Sequence, residues 1–206
     1  MAWTSPTLHG ERVLLRPLGP QDTDDLWADV QVDLQNSEVR RLTGTHHAFT
    51  YEEIAAYCAS RADKANRITL AITDRDTGVW LGEIVLMDHD EPNRSASLRI
   101  ALIAGAQNRG VGTEALRLVL AHAFGPLGLH RVSLDVYAFN EQAIHVYEKV
   151  GFRHEGRLRD ALWWDGTAYD ALLMAILATE WDSSLTATVR VGIAETLASS
   201  GAQAPS

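Results

Sequence analysis

The stretch "QNRGVGTEAL" (Gln107–Leu116) lies between an alternating apolar run, "SASLRIALIA", and an amphipathic one, "TEALRLVLAHAF". Period-two apolarity before it predicts a strand, and helical spacing after it predicts a helix. In a strand-to-helix loop, backbone N–H groups converge on the helix N-terminus. With the helix dipole they favour an anion, each exposed contact contributing about 0.3–1 kcal/mol. Gly110 and Gly112 are expected to free the backbone for positive φ and for close approach to that anion. No Gly-Lys-Ser/Thr follows, and "GAQNRGVG" lacks the glycine spacing of a dinucleotide fingerprint, so two familiar nucleotide loops are excluded. Taken alone, the loop is either an anion site or a plain turn.

Working outward, "ERVLLRPLG" reads as a first strand and "PQDTDDLWADVQVD" as a helix with Asp and Thr cap candidates. Thr50 and Glu53 form a capping-box pattern ahead of "YEEIAAYCASRADK", a second helix. "RITLAITD" and "VWLGEIVLMD" read as strands joined by the hairpin signal "RDTG". Beyond the opening stretch, the Gly-Pro of "GPLG" ends its helix. "HRVSLDVYA" is a strand, and "NEQAIHVYEKVGF" is a helix stopped at Gly151. "EGRLRDALWWDGTAYDALLMAIL" reads as a final hairpin turning at "WDGT". Hairpins mixed with crossovers imply an α/β (α+β) domain with a mixed, mostly antiparallel sheet. The domain is expected over residues 8–180, followed by a tail over 181–206. In that tail Leu185, Val189, Ile193 and Leu197 are spaced for a short helix, before a small, polar, disordered end.

A net charge of −9, from 18 basic and 27 acidic residues, argues against general nucleic-acid binding, which needs a basic footprint. The single cysteine, Cys58, excludes an intramolecular disulfide and a cysteine-rich zinc site. No apolar run reaches the roughly 18 residues of a membrane span, and no basic-then-apolar leader is visible. The expectation is a cytoplasmic protein without membrane partners. His46-His47 and "DHD" (Asp88–Asp90) are read as loop residues rather than metal ligands, because adjacent histidines point apart and spacing places no third ligand.

"QNRGVG" after a strand resembles the Gln/Arg-x-x-Gly-x-Gly/Ala loop of the GNAT N-acetyltransferase superfamily. "LDVYAFNEQAIHVYEKVGF" resembles that superfamily's fifth strand and fourth helix, with Asn140, Ala143, Tyr147, Glu148, Lys149, Gly151 and Phe152 in place. "LGEIVLMDHDEPNRSASLRIAL" and the final hairpin resemble the branch holding ribosomal-protein alanine and diamine acetyltransferases. The likeness spans about residues 8 to 180.

The resemblance implies acetyl-CoA as co-substrate and no metal. It assigns the pyrophosphate to the backbone of Gln107, Asn108, Arg109, Gly110, Val111, Gly112 and Thr113. Backbone around Leu102 and Ile103 would pair with the pantetheine arm, and Asn140 would hydrogen-bond the same molecule; as a residue type, Asn140 equally suits a helix N-cap. Tyr147 would protonate the departing thiolate of coenzyme A, although its position also suits a core tyrosine. A lysine-like amine, pKa about 10.4, is neutral in about one molecule in a few thousand at pH 7, and an α-amine in about one in ten. The need for a base therefore depends on the acceptor. Glu83 is the first candidate and Asp135 the second, with a water relay as the alternative. Many relatives carry Glu where this chain has Ser97.

The implied reaction is direct attack within a ternary complex. The acceptor is a protein N-terminus, a polyamine or another small amine. Asp22, Asp24, Asp25, Asp29 and Asp33 cluster on the helix that in this family lies beside the acceptor, and they equally suit helix capping and a solvated face. A donor such as succinyl-CoA, and a non-catalytic acyl-CoA-binding module, are the competing readings. The last hairpin and the tail offer surfaces for a homodimer.

Overall fold

Residues 3–35, 37–61, 66–182 and 190–191 are described by a computed structural model. Its strands are β1 (Leu8–His9), β2 (Val13–Pro17), β3 (Ile68–Asp74), β4 (Trp80–Asp90), β5 (Ser95–Leu102), β6 (Arg131–Tyr137), β7 (Arg153–Trp164), β8 (Thr167–Leu177) and β9 (Arg190–Val191). Its helices are α1 (Thr23–Gln35), α2 (Ser37–Thr43), α3 (Tyr51–Ala59), α4 (Val111–Phe124) and α5 (Glu141–Val150). The described strands make one sheet in the order β7-β8-β6-β5-β4-β3-β2-β1-β9. Every neighbouring pair is antiparallel except β5 and β6, which are parallel.

The near-continuous apolar runs of β3 and β4 follow from burial on both faces, with Ile68–Thr73 and Trp80–Leu86 all buried. On one face Ile84, Leu86, Leu98, Val132, Leu134 and Val136 share a core with Leu116, Leu120 and Val150 of α4 and α5. On the other, Ala71 and Trp80 pack with Leu26 of α1 and with Ile54 and Cys58 of α3. Helices on both sides thus hold the middle strands, which carry the site.

Local signals hold where they are strong. Thr50 Oγ1 accepts from the Glu53 amide at 3.2 Å, and Glu53 Oε2 in turn accepts from the Thr50 amide at 2.8 Å. Asp74 anchors the first hairpin turn by accepting from the Thr77 amide at 2.9 Å and the Thr77 hydroxyl at 2.8 Å. In the last hairpin Asp165 (φ 48°) and Gly166 (φ 76°) are both left-handed, the geometry that Asp-Gly turns supply.

The α2 helix and the two-residue strands β1 and β9 are additions to the element order expected from the sequence. The second helix ends at Ala59, short of the expected Lys64. The tail helix expected over Leu185 to Leu197 lies outside the described residues except at Arg190–Val191. Those two pair with β1 as a strand, His9 opposite Arg190 and Leu8 opposite Val191.

His122 of α4 is buried, and neither ring nitrogen has a hydrogen-bond partner among the described residues. Burial lowers its pKa below the ordinary 6.5, so the folded state favours neutral imidazole. That contribution is fully present above the unfolded pKa and is lost as pH falls through the folded one. Thermal unfolding from pH 8 to pH 5 is therefore expected to show a falling midpoint for the wild type. His122→Leu should flatten the acid side of that curve.

Candidate active site

β5 and β6 run parallel but pair only at Ser95–Arg131, Ala96–Val132 and Ser97–Ser133. Beyond Ser97 they part, while β5 stays paired to β4 as far as Gly82–Leu102. One edge of Ile100–Leu102 therefore turns unpaired backbone groups into the wedge between the strands. A cleft of about 420 Å³ fills the wedge, and its wall includes Arg99, Leu102, Gly112, Val136, Tyr137, Asn140 and Tyr147.

At one end of the cleft is the loop before α4. Gln107, Asn108, Gly110, Gly112 and Thr113 line it. The first α-helical bond of α4 runs from the Glu114 amide to the Gly110 carbonyl at 3.0 Å, and Gly110 supplies no side-chain cap. The amides of Val111, Gly112 and Thr113 are thus left without helical acceptors, the arrangement that binds an anion.

Positive φ falls at Asn108 (59°) and Gly110 (83°), not at both glycines. Gly112 is already helical, and its lack of a Cβ serves another purpose: an added Cβ would sit 3.2 Å from Leu102 Cδ1, on the cleft wall. The loop is braced from outside. Glu114 accepts from the backbone amides of Glu11 and Arg12, and the Arg12 guanidinium donates to the Arg109 carbonyl at 3.3 Å.

The remaining expected residues divide. Asn140 lines the cleft and also caps α5, its Oδ1 accepting from the Ala143 amide at 3.1 Å. Tyr147 lines the cleft, is only 8% exposed, and stands edge-on to Phe152 at 5.8 Å. Burial, with the charge of Asp135 adding to it, pushes the Tyr147 phenol up to about 12, so it stays protonated at neutral pH.

Val111 instead points into the core. Ile103 packs against both hydrophobic clusters, and the Arg109 guanidinium donates to the Gly105 carbonyl at 3.3 Å; neither residue is on the cleft wall. Ser97 lies at the closed vertex of the wedge, and Asp135 is exposed on β6 outside the cleft.

Glu83 is buried in β4, behind the cleft wall rather than on it. One carboxylate oxygen accepts from Arg99 at 2.5 Å and the other from the Tyr57 hydroxyl at 2.9 Å. Burial first, and then the charge of Glu83, raises the Tyr57 pKa and keeps this phenol a donor. Arg99, Tyr57 and Tyr137 were not singled out in the sequence. Alternation in "SASLRIAL" could have found Arg99, because it sets that residue on the face of β5 opposite to Leu98 and Ile100.

The histidine pair behaves as loop residues. The His46 ring tilts against Trp164 at 4.7 Å, while His47 Nε2 meets Glu53 at 3.1 Å. Among the described residues no group of three His, Cys, Asp or Glu side chains is placed to hold a metal, and no helix is long and apolar enough to cross a membrane.

Comparison with known proteins places this geometry. The family model described as "Acetyltransferase (GNAT) domain" matches residues 12–153. The uncharacterized N-acetyltransferase YoaA of Bacillus subtilis (strain 168) is 28% identical, over 84% of this chain and 97% of its own length. Spermidine N(1)-acetyltransferase of Escherichia coli (strain K12) is 29% identical, over 85% of this chain and 90% of its own. Among solved structures, spermidine N-acetyltransferase from Vibrio cholerae in complex with CoA and spermine superposes with a TM-score of 0.74 at 22% identity, covering 83% of this chain and 98% of that one. A family model spanning more than half the chain, named N-acetyltransferases as relatives, and the wedge-and-loop geometry agree: the chain belongs to the GNAT family of N-acetyltransferases.

Proposed function

We propose that this chain transfers the acetyl group of acetyl-CoA to a primary amine, with both bound together in the cleft. The observation that carries the reading is the wedge beyond Ser97. It joins an unpaired strand edge, the uncapped amides of α4 and a protonated phenol in one cavity. Those groups fit the donor. The amides of Val111, Gly112 and Thr113 suit its pyrophosphate, Gly112 leaves room for its passage, and Leu102 and Asn140 offer partners to its amide-bearing arm. The chemistry the donor supplies is a thioester open to aminolysis. Arrangement of both substrates in one cleft converts a bimolecular encounter into a local one.

Tyr147 is assigned the proton delivered to the departing thiolate, since burial keeps its hydroxyl protonated. Glu83 is assigned the proton leaving the amine, through water, because it lies behind the wall and both its oxygens are engaged. The spermidine N(1)-acetyltransferase relatives support an amine acceptor.

Two measurements test the proposal. Calorimetry is expected to show acetyl-CoA binding, and a panel of small amines and peptides with free N-termini is expected to show coenzyme A release. In the same assay Glu83→Gln should lower kcat/KM and leave the donor's affinity in place. Absence of acetyl-CoA binding would overturn the reading. Binding without release on any amine would favour a non-catalytic acyl-CoA-binding module, and tighter binding of succinyl-CoA would change the donor.

A further inference from the structure

We infer that the acceptor subsite is built for an amine that also carries a carboxylate, and that Arg99 recognises that carboxylate. The inference rests on the acetyl-transfer reading and narrows its acceptor. Away from the loop of residues 107–113, the cleft wall includes Arg99 of β5, Asp29 of α1, Leu42 and Thr43 of α2, and Tyr137 of β6. An acceptor entering opposite the pyrophosphate end meets these side chains.

The Glu83–Arg99 pair is polar in a definite direction. Glu83 is the inner member: its side chain is 9% exposed, and Tyr57 takes its second oxygen. Arg99 is the outer member, 53% exposed and on the cleft wall. Its recorded bond to Glu83 uses one terminal nitrogen. The rest of its planar donor fork has no recorded acceptor among the described residues. Such a fork matches a carboxylate in a bidentate fashion, which a lysine would not do.

The end of this pair that faces the acceptor is therefore the cationic Arg99 guanidinium. A polyamine would bring a second positive charge against it within a partly enclosed cleft. An amine bearing a carboxylate instead completes the fork. Leu42 and Thr43 bound the remaining wall with one apolar and one small polar surface.

The test compares matched acceptors with acetyl-CoA as donor: spermidine, α- and ω-amino acids, and the carboxamides of those same amino acids. For the wild type, kcat/KM for a carboxylate is expected to exceed that for its carboxamide by about tenfold or more, the usual range for a charge-assisted hydrogen bond. Arg99→Gln should bring that ratio close to one, and Arg99→Lys should leave it in between, with the KM for acetyl-CoA unchanged in both. Arg99→Lys keeps the charge beside Glu83, so it reports on selectivity even where Arg99→Gln folds poorly. A wild type that prefers spermidine to every carboxylate-bearing amine overturns this inference and leaves acetyl transfer standing. So does full retention of the ratio in Arg99→Gln. Bound acetyl-CoA with no release on any amine overturns acetyl transfer itself, and this inference with it.

Discussion

Replacing Tyr147 with phenylalanine is expected to lower kcat by about 10²- to 10⁴-fold, the range for loss of a positioned general acid, with little change in acetyl-CoA affinity. The phenyl ring keeps its edge-on packing against Phe152 and the burial that holds α5 to the sheet, so the fold should survive. Only the hydroxyl is lost, and it takes no hydrogen bond from a described residue. Because burial keeps the phenol at about 12, the wild type should show no alkaline loss of kcat from this group in the neutral and mildly basic range. Steady-state kinetics together with donor calorimetry check both halves. An unchanged kcat would remove Tyr147 from the chemistry and leave it a packing residue.

Gly82→Ala is expected to be the most damaging small substitution in the site. Gly82 has φ 143°, a backbone region that side-chain-bearing residues rarely enter. A Cβ there would lie 2.1 Å from the Ala101 carbonyl oxygen and 2.9 Å from the Leu102 Cα, both backbone atoms that cannot rotate away. Backbone strain and overpacking each cost about 1–3 kcal/mol, so a loss of at least about 2 kcal/mol is expected. For a chain of this size that is a fall in Tm of several degrees. The displaced residues are those of β5 that face the cleft, so acetyl-CoA affinity should fall along with Tm. Thermal denaturation and calorimetry of the same variant check the pairing. A variant that loses neither would show that β5 can shift without cost.

Much of the fold is legible in the sequence, and the reason is locality. Asp165-Gly166, Asp74 to Gly78, and Thr50 with Glu53 encode their geometry in a few adjacent residues, so they could be read directly. The α2 helix could not. "SEVRRLT" has only Val39 and Leu42 as apolar positions, too few for a helical stripe. β1 and β9 exist only because distant segments pair, and two residues carry no period. At the site, the strand-loop-helix geometry was legible from the loop motif, whereas side-chain partners were not. That Glu83 sits between Arg99 and Tyr57 depends on three elements meeting across 26 and 16 positions of chain. The expectation for Gly112 failed for a similar reason. Asn108 supplies the second left-handed residue, and a Cβ on Gly112 would press on Leu102 of β5, a contact between distant parts of the chain.

The parting of β5 from β6 also bears on how the molecule holds together. Three residue pairs carry the ladder between the strands β1–β5 and the strands β6–β8, against seven pairs between β6 and β8. The two halves of the sheet meet at a seam, and a seam short of ladder hydrogen bonds opens at lower free energy than the strands beside it. Amides along β6 and α5 should then exchange with solvent as one group, ahead of those in β3 and β4. A donor molecule lying in the wedge touches both halves. Acetyl-CoA would thus act as a staple as well as a reactant, slowing exchange on the far side of the seam from its pyrophosphate.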